Sequence, residues 1–493
     1  MRRHLVTKGS FYERLAEHGD EIISDEDFAH LYAEGKGRPS IPPSVMIKAM
    51  LCATHDRTSD AETSRRTRVD SDWKAAMGVD DWFEGIGATT FSLMRARMVA
   101  HDADGALFEK TLEHAVETGI FTEPLRAIID SSPVHGSGAV AETYELIRKA
   151  AGRLVRALGG RIDAELSAKV IALAEAKPDI DWDDPAARRA HLAELVELAA
   201  TLVGVAAPET GADPDVAEAS EVLAKVVLSD VEDTGDGPGI RQGVAPDRIV
   251  SHSDPEMRHG RKSASRRFDG HKMDLMTDEE TELVLGVEIR PGNAGDAEGA
   301  LPLLDKVSGL EGIVLDTLLG DMAYSDGDVR AGVEERGAQM VAKVPPVANG
   351  GRFPKTDFDI DTKAGLVTCP AGVATTDARP ATDHKGRRAT MFVFPAEVCA
   401  ACPLREACTT AKDGRHIVVG VHHDRIEAAR AAQAEPATKA LLRLRAKVER
   451  KIDHLQDLGM RKARYRGRRR TMLQALLAAT VANFSSLVVL DAF

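Results

Sequence analysis

Cysteine is scarce in this 493-residue chain: there are five, and four of them fall between Cys369 and Cys408. That distribution gives no disulfide framework along the chain, and the cluster fits a reducing compartment and a metal site better than disulfides. Cys52 stands alone in an apolar helical stretch and reads as a small core residue. No apolar run follows the opening Met1-Arg2-Arg3-His4, so no secretory signal is expected and a cytoplasmic, nucleoid-associated location is. One stretch raises a membrane question. Leu473 to Leu490 follows Arg468-Arg469-Arg470 in the manner of a tail anchor, but Gln474, Thr480, Asn483, Ser485 and Ser486 interrupt it. A buried helix and no membrane partner are therefore expected. Repeats of fixed period are also missing.

Excess positive charge is lacking too. The formal net charge is −14, the wrong sign for a protein that grips a polyanion with its whole surface. The distribution changes that reading. Residues 141–240 hold twenty Asp or Glu against ten Lys or Arg, whereas residues 443–470 hold twelve basic residues against three acidic ones. A patch as dense as the second can neutralise phosphates whatever the total charge. It ends in Arg461, Lys462, Arg464, Tyr465, Arg466, Gly467, Arg468, Arg469 and Arg470, for which the plainer alternative is a solvated helix–turn junction.

What is present is ample for a large core: 43% hydrophobic and 29% charged residues over a length that suits two to four domains. Residues 1–122 read as a helical N-terminal domain, with Ser40-Ile41-Pro42-Pro43-Ser44 as a helix start. Residues 123–140 hold a short strand, Leu125 to Asp130, closed by an acid and bounded by Ser131-Ser132-Pro133. Residues 141–240 form an acidic helical insertion, since strands resume beyond it. Over 241–348, strands are expected at 268–276, 283–290, 312–319 and 339–344, with helices at 296–307 and 326–336. That order describes an α/β fold with a mixed sheet. A small cysteine-bearing β segment spans 349–421, and 422–493 returns to helices, beginning with one long helix from Asp424 to about Leu458.

Acids at strand ends are the residues that hold divalent ions, because Mg²⁺ prefers hard carboxylate oxygens on rigid elements. Asp130 closes the first strand, Asp321 follows the strand ending at Leu319, and Glu449 lies inside the late helix. By spacing alone Asp316 competes with Asp321, and Glu427 or Glu435 with Glu449, while Asp254 reads as a loop acid.

At these residues the chain resembles the DDE transposases of bacterial insertion sequences. The similar stretches are Ile128-Ile129-Asp130-Ser131-Ser132, Ser251 to Gly260 with Phe268 to Lys272, Ile289 to Asp296, Gly320-Asp321-Met322-Ala323-Tyr324, and Val448-Glu449-Arg450 through Gly467. The resemblance implies a ribonuclease-H-like catalytic core in which Asp130, Asp321 and Glu449 hold two Mg²⁺ or Mn²⁺ ions. It further implies cleavage of double-stranded DNA at transposon ends, transfer of the freed 3′-hydroxyl into target DNA, and by analogy a homodimer on DNA. A catalytically inactive DNA-binding relic and a metal-dependent nuclease are the alternatives. Arg445, one turn before Glu449, matches the family's arginine; it either reaches a phosphate or forms an i, i+4 ion pair with Glu449. Two positions depart from the pattern. Relatives place a tyrosine three before that arginine and a lysine seven after the glutamate, where this chain has Leu442 and Gln456. Lys451 or Lys462 would have to supply the missing cation.

Cys369, Cys399, Cys402 and Cys408 are spaced C-x29-C-x2-C-x5-C. Four thiolates suit a closed, structural Zn²⁺ site; an iron–sulfur cluster and no metal at all are the rivals, and nothing else in the sequence points to electron transfer.

Overall fold

The computed structural model describes residues 6–32, 40–263 and 265–493; the opening Met1-Arg2-Arg3-His4 lies outside them. The N-terminal region is helical: α1 (Phe11–Ile22), α2 (Pro43–Asp56), α3 (Asp60–Val69), α4 (Ser71–Met77), α5 (Ala88–Ala100) and α6 (Ala103–Glu117). Its turns carry their own caps. Pro43 opens α2, Ser59 accepts from the Glu62 N–H, and Asp70 accepts from the Trp73 N–H.

β1 spans Leu125–His135 and does not stop at Asp130 as expected. Asp130, Ser131, Ser132 and Pro133 all pair antiparallel with a later strand, in the register Pro133 opposite Lys272. Pro133 is tolerated because, among the described residues, no strand pairs with the other side of β1 between Ile128 and the bridge of His135 to Lys462.

The acidic insertion follows as α7 (Thr143–Leu158), α8 (Ala164–Glu175), α9 (Pro185–Ala206) and α10 (Pro214–Asp230), with a small hairpin of β2 (Val231–Asp233) and β3 (Pro238–Ile240). It has a core of its own, in which Leu146, Ile147, Leu154, Leu195, Leu202 and Leu223 pack together. Its neck is tied by Asp230, which is buried and accepts from Arg248 Nε at 2.9 Å and from the Thr143 hydroxyl at 2.8 Å. The Ala141 N–H donates to the Val250 carbonyl at 3.1 Å at the same place.

The central sheet is completed by β4 (Arg258–Arg261), β5 (Arg267–Asp278), β6 (Val284–Pro291), β7 (Leu315–Leu319) and β8 (Gln339–Val341), with helices α11 (Ala300–Ser308) and α12 (Gly327–Glu335). Its order is β4-β5-β1-β7-β8, and β6 pairs with β5 beyond β4. The β4, β5, β6 and β1 pairings are antiparallel, while β1–β7 and β7–β8 are parallel, so the sheet is mixed as expected. Gly270 is required where β5 crosses β1: a Cβ there would lie 2.2 Å from the Val134 carbonyl oxygen.

Residues 350–421 carry β9 (Asp359–Asp361), β10 (Leu366–Thr368), β11 (Ala374–Thr375), β12 (Ala378–Thr382), β13 (Arg388–Val393), α13 (Ala396–Ala400), α14 (Arg405–Cys408) and β14 (His416–Gly420). A third small core, built on Phe358, Val367, Phe392, Phe394 and Ile417, holds them.

The expected helix from Asp424 to Leu458 is instead three: α15 (His423–Ala432), α16 (Pro436–Leu444) and α17 (Ala446–Leu455), followed by a π-helical turn, Gln456–Met460. Pro436 lacks the N–H that would continue α15 and starts a new helix, and Gly459 at φ 106° ends the run. α18 (Arg468–Val489) is long and apolar enough to cross a membrane, but 67% of its most apolar window is buried inside the protein. Thr480 and Ser485 bond back to carbonyls of the same helix, whereas Asn483 makes docking contacts. Asn483 Oδ1 accepts from the Val284 N–H at 2.8 Å, and its Nδ2 donates to the Val284 carbonyl at 2.9 Å and to Thr111 Oγ1 at 3.1 Å. α18 thereby joins the N-terminal helices and the sheet in one continuous core.

Candidate functional site

Asp130 and Asp321 are brought together by strand register. Ile128 pairs with Leu319 across parallel strands, so Asp130 and Asp321 each lie two residues beyond that pair, and the Asp321 charge acts on Asp130. Asp321 opens the turn Met322–Ser325, where its carboxylate accepts the Ala323 N–H at 2.7 Å. Glu449 comes from α17, which packs on β1 and β5 through the buried stripe Val448, Ile452 and Leu455. Asp316, the competitor of Asp321, is exposed on β7, and Glu427 is paired with Arg430 at 3.1 Å.

Arg445 sits at the junction of α16 and α17 and serves two of the acids. Its Nη1 donates to Asp130 Oδ2 at 3.3 Å and its Nη2 to Glu449 Oε1 at 2.8 Å. The i, i+4 pair with Glu449 is therefore present, and a third group has been added to it. Burial pushes the Asp130 carboxyl up to about 6; the Asp321 and Glu449 charges push the same way, and the Ser131 N–H and Arg445 oppose them. A carboxylate crowded by two others in a partly buried setting is a place that favours an added cation.

A polar layer that sequence reasoning missed lies on the other face of β1. Ser131 Oγ donates to Asp296 Oδ1 at 2.7 Å, Lys272 Nζ donates to the same oxygen at 2.6 Å, and Arg290 Nη2 donates to the fully buried Asp274 at 2.9 Å. Tyr324 is buried beside them, and its hydroxyl has no partner. The charges of Asp274, Asp130, Asp296 and Asp321, after burial itself, drive its pKa up. Tyr324, Arg290 and Asp296 lay inside stretches already singled out in the sequence; Asp274 carried no signal beyond its place in a strand.

Gln456, at the lysine position of the resembling family, donates from Nε2 to Ser132 Oγ at 2.9 Å. Lys451 does not replace that lysine: it is buried, faces Ser486 Oγ at 3.2 Å, and burial lowers its pKa. Lys462 is exposed. The basic loop is only partly free. Arg464 pairs with Asp60 at 2.7 Å, Arg468 with Glu256 at 3.0 Å and Arg469 with Asp104 at 2.6 Å, so these three fasten the loop to the protein. Arg461, Lys462, Arg466 and Arg470 are exposed; of these, Arg461 alone has an acidic partner among the described residues, Asp457 at 3.5 Å. Asp254, expected as an ordinary loop acid, is fully buried at 3.5 Å from the equally buried His271.

Cys369, Cys399, Cys402 and Cys408 line one small cavity with Phe353, Phe394 and Arg415, and all four are free thiols. Among the described residues, no group of three or more His, Cys, Asp or Glu side chains is placed to hold a metal ion. At the carboxylates the reason is visible, since Arg445 bridges Asp130 and Glu449 while Asp321 is turned onto its own helix cap. The donor chemistry nevertheless fits: hard oxygens at the carboxylates, soft sulfurs at the cysteines.

Residues 368–488 match the family described as a transposase DDE domain, and residues 1–97 match a transposase domain, DUF772. Both matches support an insertion-sequence DDE transposase. No curated protein matches it. The first match takes in Glu449, Arg445 and the four cysteines of the transposase, and the second takes in α1 to α5; Asp130 and Asp321 fall outside both. Transposases of this family act on DNA and generally use divalent metal ions.

Proposed function

We propose that this transposase cuts DNA at the ends of its own element and transfers the freed 3′-hydroxyl into target DNA, with Asp130, Asp321 and Glu449 as its catalytic carboxylates. The reading is supported by the clustering of these three acids, from positions far apart in the chain, around the middle of β1 where its pairing with β7 ends. The strand order β6-β5-β1-β7-β8, with its antiparallel half and its parallel half, supports a ribonuclease-H-like core around them.

Asp130, Asp321 and Glu449 would hold divalent ions, Mg²⁺ or Mn²⁺, which when bound activate the attacking oxygen and stabilise the leaving one. Arg445 holds Asp130 and Glu449 close and supplies positive charge where phosphate charge develops. α17, seated on the sheet, fixes Glu449 relative to Asp130. Arg461, Lys462, Arg466 and Arg470 present cations to the DNA backbone next to that centre. Cys369, Cys399, Cys402 and Cys408 form a structural zinc site that stiffens the β segment. Two copies act together, because two ends must be joined.

The test is a joining assay with Mg²⁺ and a plasmid that carries the gene with its native flanks. The intact protein is expected to cut the flanks and join the ends to a second plasmid, and Asp321→Asn to do neither while still binding DNA. Normal joining by Asp321→Asn removes Asp321 from the site. Binding without cutting by the intact protein identifies an inactive relic, and cutting without joining identifies a nuclease.

A further inference from the structure

The insertion is acidic overall, yet part of its cationic charge is gathered at one place. Lys149 and Arg153 stand one turn apart on α7, and both act electrostatically on His252, as does Arg466 from the basic loop. Arg153 Nη1 donates to the His252 carbonyl at 3.1 Å, and its Nη2 pairs with Glu218 at 2.8 Å. The loop is held there by the Ser137 hydroxyl, which donates to the Tyr465 carbonyl at 2.9 Å. Neither Lys149 nor Arg466 has a carboxylate within ion-pair distance among the described residues, and Glu145 acts on His252 in the opposite sense to the cations. Nδ1 of His252 is buried without a hydrogen-bond partner. Burial first, and then the three cations, lower the pKa of this imidazole.

Three like charges converging with one carboxylate partner between them are unfavourable in the free protein and favourable around an anion. Elsewhere in the loop, Arg464, Arg468 and Arg469 are satisfied by Asp60, Glu256 and Asp104, which leaves Arg466 available to an anion. The net acidity of the insertion disfavours a polyanion over most of its surface, so such a ligand would approach through a cationic face such as this one.

We propose that Lys149, Arg153 and Arg466 form a single phosphate-contact site, shared between the acidic insertion and the basic loop, for the backbone of double-stranded DNA. The inference rests on the DNA-processing reading above and gives the insertion a part in it. The insertion is then one wall of the DNA path, its acidic exterior confining the duplex to the α7 face.

The experiment measures binding of the full-length protein to a duplex of about 30 base pairs of arbitrary sequence, by fluorescence anisotropy, across about 50 to 200 mM salt. Lys149→Gln is expected to weaken binding several-fold. Lys149→Gln combined with Arg466→Gln is expected to reduce the slope of log K against log salt by about 0.9, the share of one phosphate. Arg156→Gln, on the same helix but paired with Glu175 at 3.0 Å, serves as the control and is expected to change neither. Wild-type affinity and slope in Lys149→Gln, with binding weakened by Arg466→Gln alone, overturn the proposal and leave the DNA reading standing. A changed sedimentation mass for Lys149→Gln with an unchanged DNA slope also overturns it, assigning the cluster to contact with a second copy. A wild-type protein that shows no salt-dependent DNA binding refutes the broader reading as well.

Discussion

Arg445 reaches Asp130 across 315 positions of sequence, Nη1 to Oδ2 at 3.3 Å. The same guanidinium holds Glu449, so one side chain offsets two of three clustered acids. Both pairs are partly solvated and contribute at most about 1 kcal/mol of stability. Arg445→Ala is therefore expected to leave the melting temperature nearly unchanged while lowering DNA cleavage by about 10². Arg445→Lys is expected to recover little, because a point charge does not reproduce the two-pronged contact. Melting curves and cleavage rates measured on the same preparations check both statements; a large loss of stability would make Arg445 a folding residue instead.

Asn483 satisfies both backbone groups of Val284 from inside the core. Asn483→Leu is close in size but strands an N–H and a carbonyl, at a cost of about 2–4 kcal/mol. Urea unfolding should show the midpoint falling accordingly, and no change in midpoint would mean that the strand finds other partners.

How far the sequence could be read follows from what held each element. The strands β5 and β6 and the helices α11 and α12 were legible because their apolar periodicity is local. Asp130 was found as a strand acid, but the continuation of β1 through Pro133 was not, because it depends on which neighbour strand has already ended. The late helix was misread as one piece: its apolar spacing runs on through Pro436, and only the missing N–H at that position breaks it. Arg445 was identified, yet its grip on Asp130 is a long-range contact that no spacing encodes. The charge count of the basic loop was right, whereas the pairing of Arg464, Arg468 and Arg469 with acids of α3, the turn before α6, α6 itself and the Glu256 loop was invisible until the chain folded.

Asp56 is the hub of the N-terminal helices. It accepts from the Tyr12 hydroxyl at 2.6 Å, from Trp73 Nε1 at 3.1 Å and from Arg66 Nη1 at 2.5 Å, and it faces His55 Nδ1 at 2.7 Å. Burial alone would raise its pKa, but these partners outweigh burial and hold the carboxyl below its usual value. A depressed folded-state pKa adds stability that is fully present above the unfolded value near 3.9 and is lost as pH falls through the folded one. Asp56→Asn is expected to cost about 2–3 kcal/mol at neutral pH. The gap between mutant and wild-type denaturation midpoints should close below about pH 4; a pH-independent gap would refute the assignment.

Asp274 is fully buried and depends on Arg290. Arg290→Leu leaves that carboxylate without its counter-charge, at an expected cost of about 3–5 kcal/mol. Asp274→Asn in the same background removes the stranded charge and is expected to recover part of the loss. Denaturant midpoints of the two variants decide it; an Arg290→Leu protein as stable as wild type would show that Asp274 takes up a proton at little cost.

The four thiols around one cavity lead to a metal count. Purified under reducing conditions, the protein is expected to carry one zinc per chain by elemental analysis, and Cys402→Ser to lose it. Zinc removal should expose residues 350–421 to protease before the sheet, because that segment has its own small core. Iron in place of zinc, or no metal at all, would overturn the assignment.

The neck at Ala141 and Val250 has a practical consequence. Because the two ends of the insertion meet there in a backbone hydrogen bond, and the helices beyond draw on a hydrophobic interior separate from the rest, the cassette can be excised at that neck once the Arg153 contact with the His252 carbonyl is given up. A short glycine bridge across that point removes it without opening the sheet. A protein trimmed in this way keeps Asp130, Asp321 and Glu449 in register while giving up Lys149 and Arg153, which separates catalysis from grip in a single deletion.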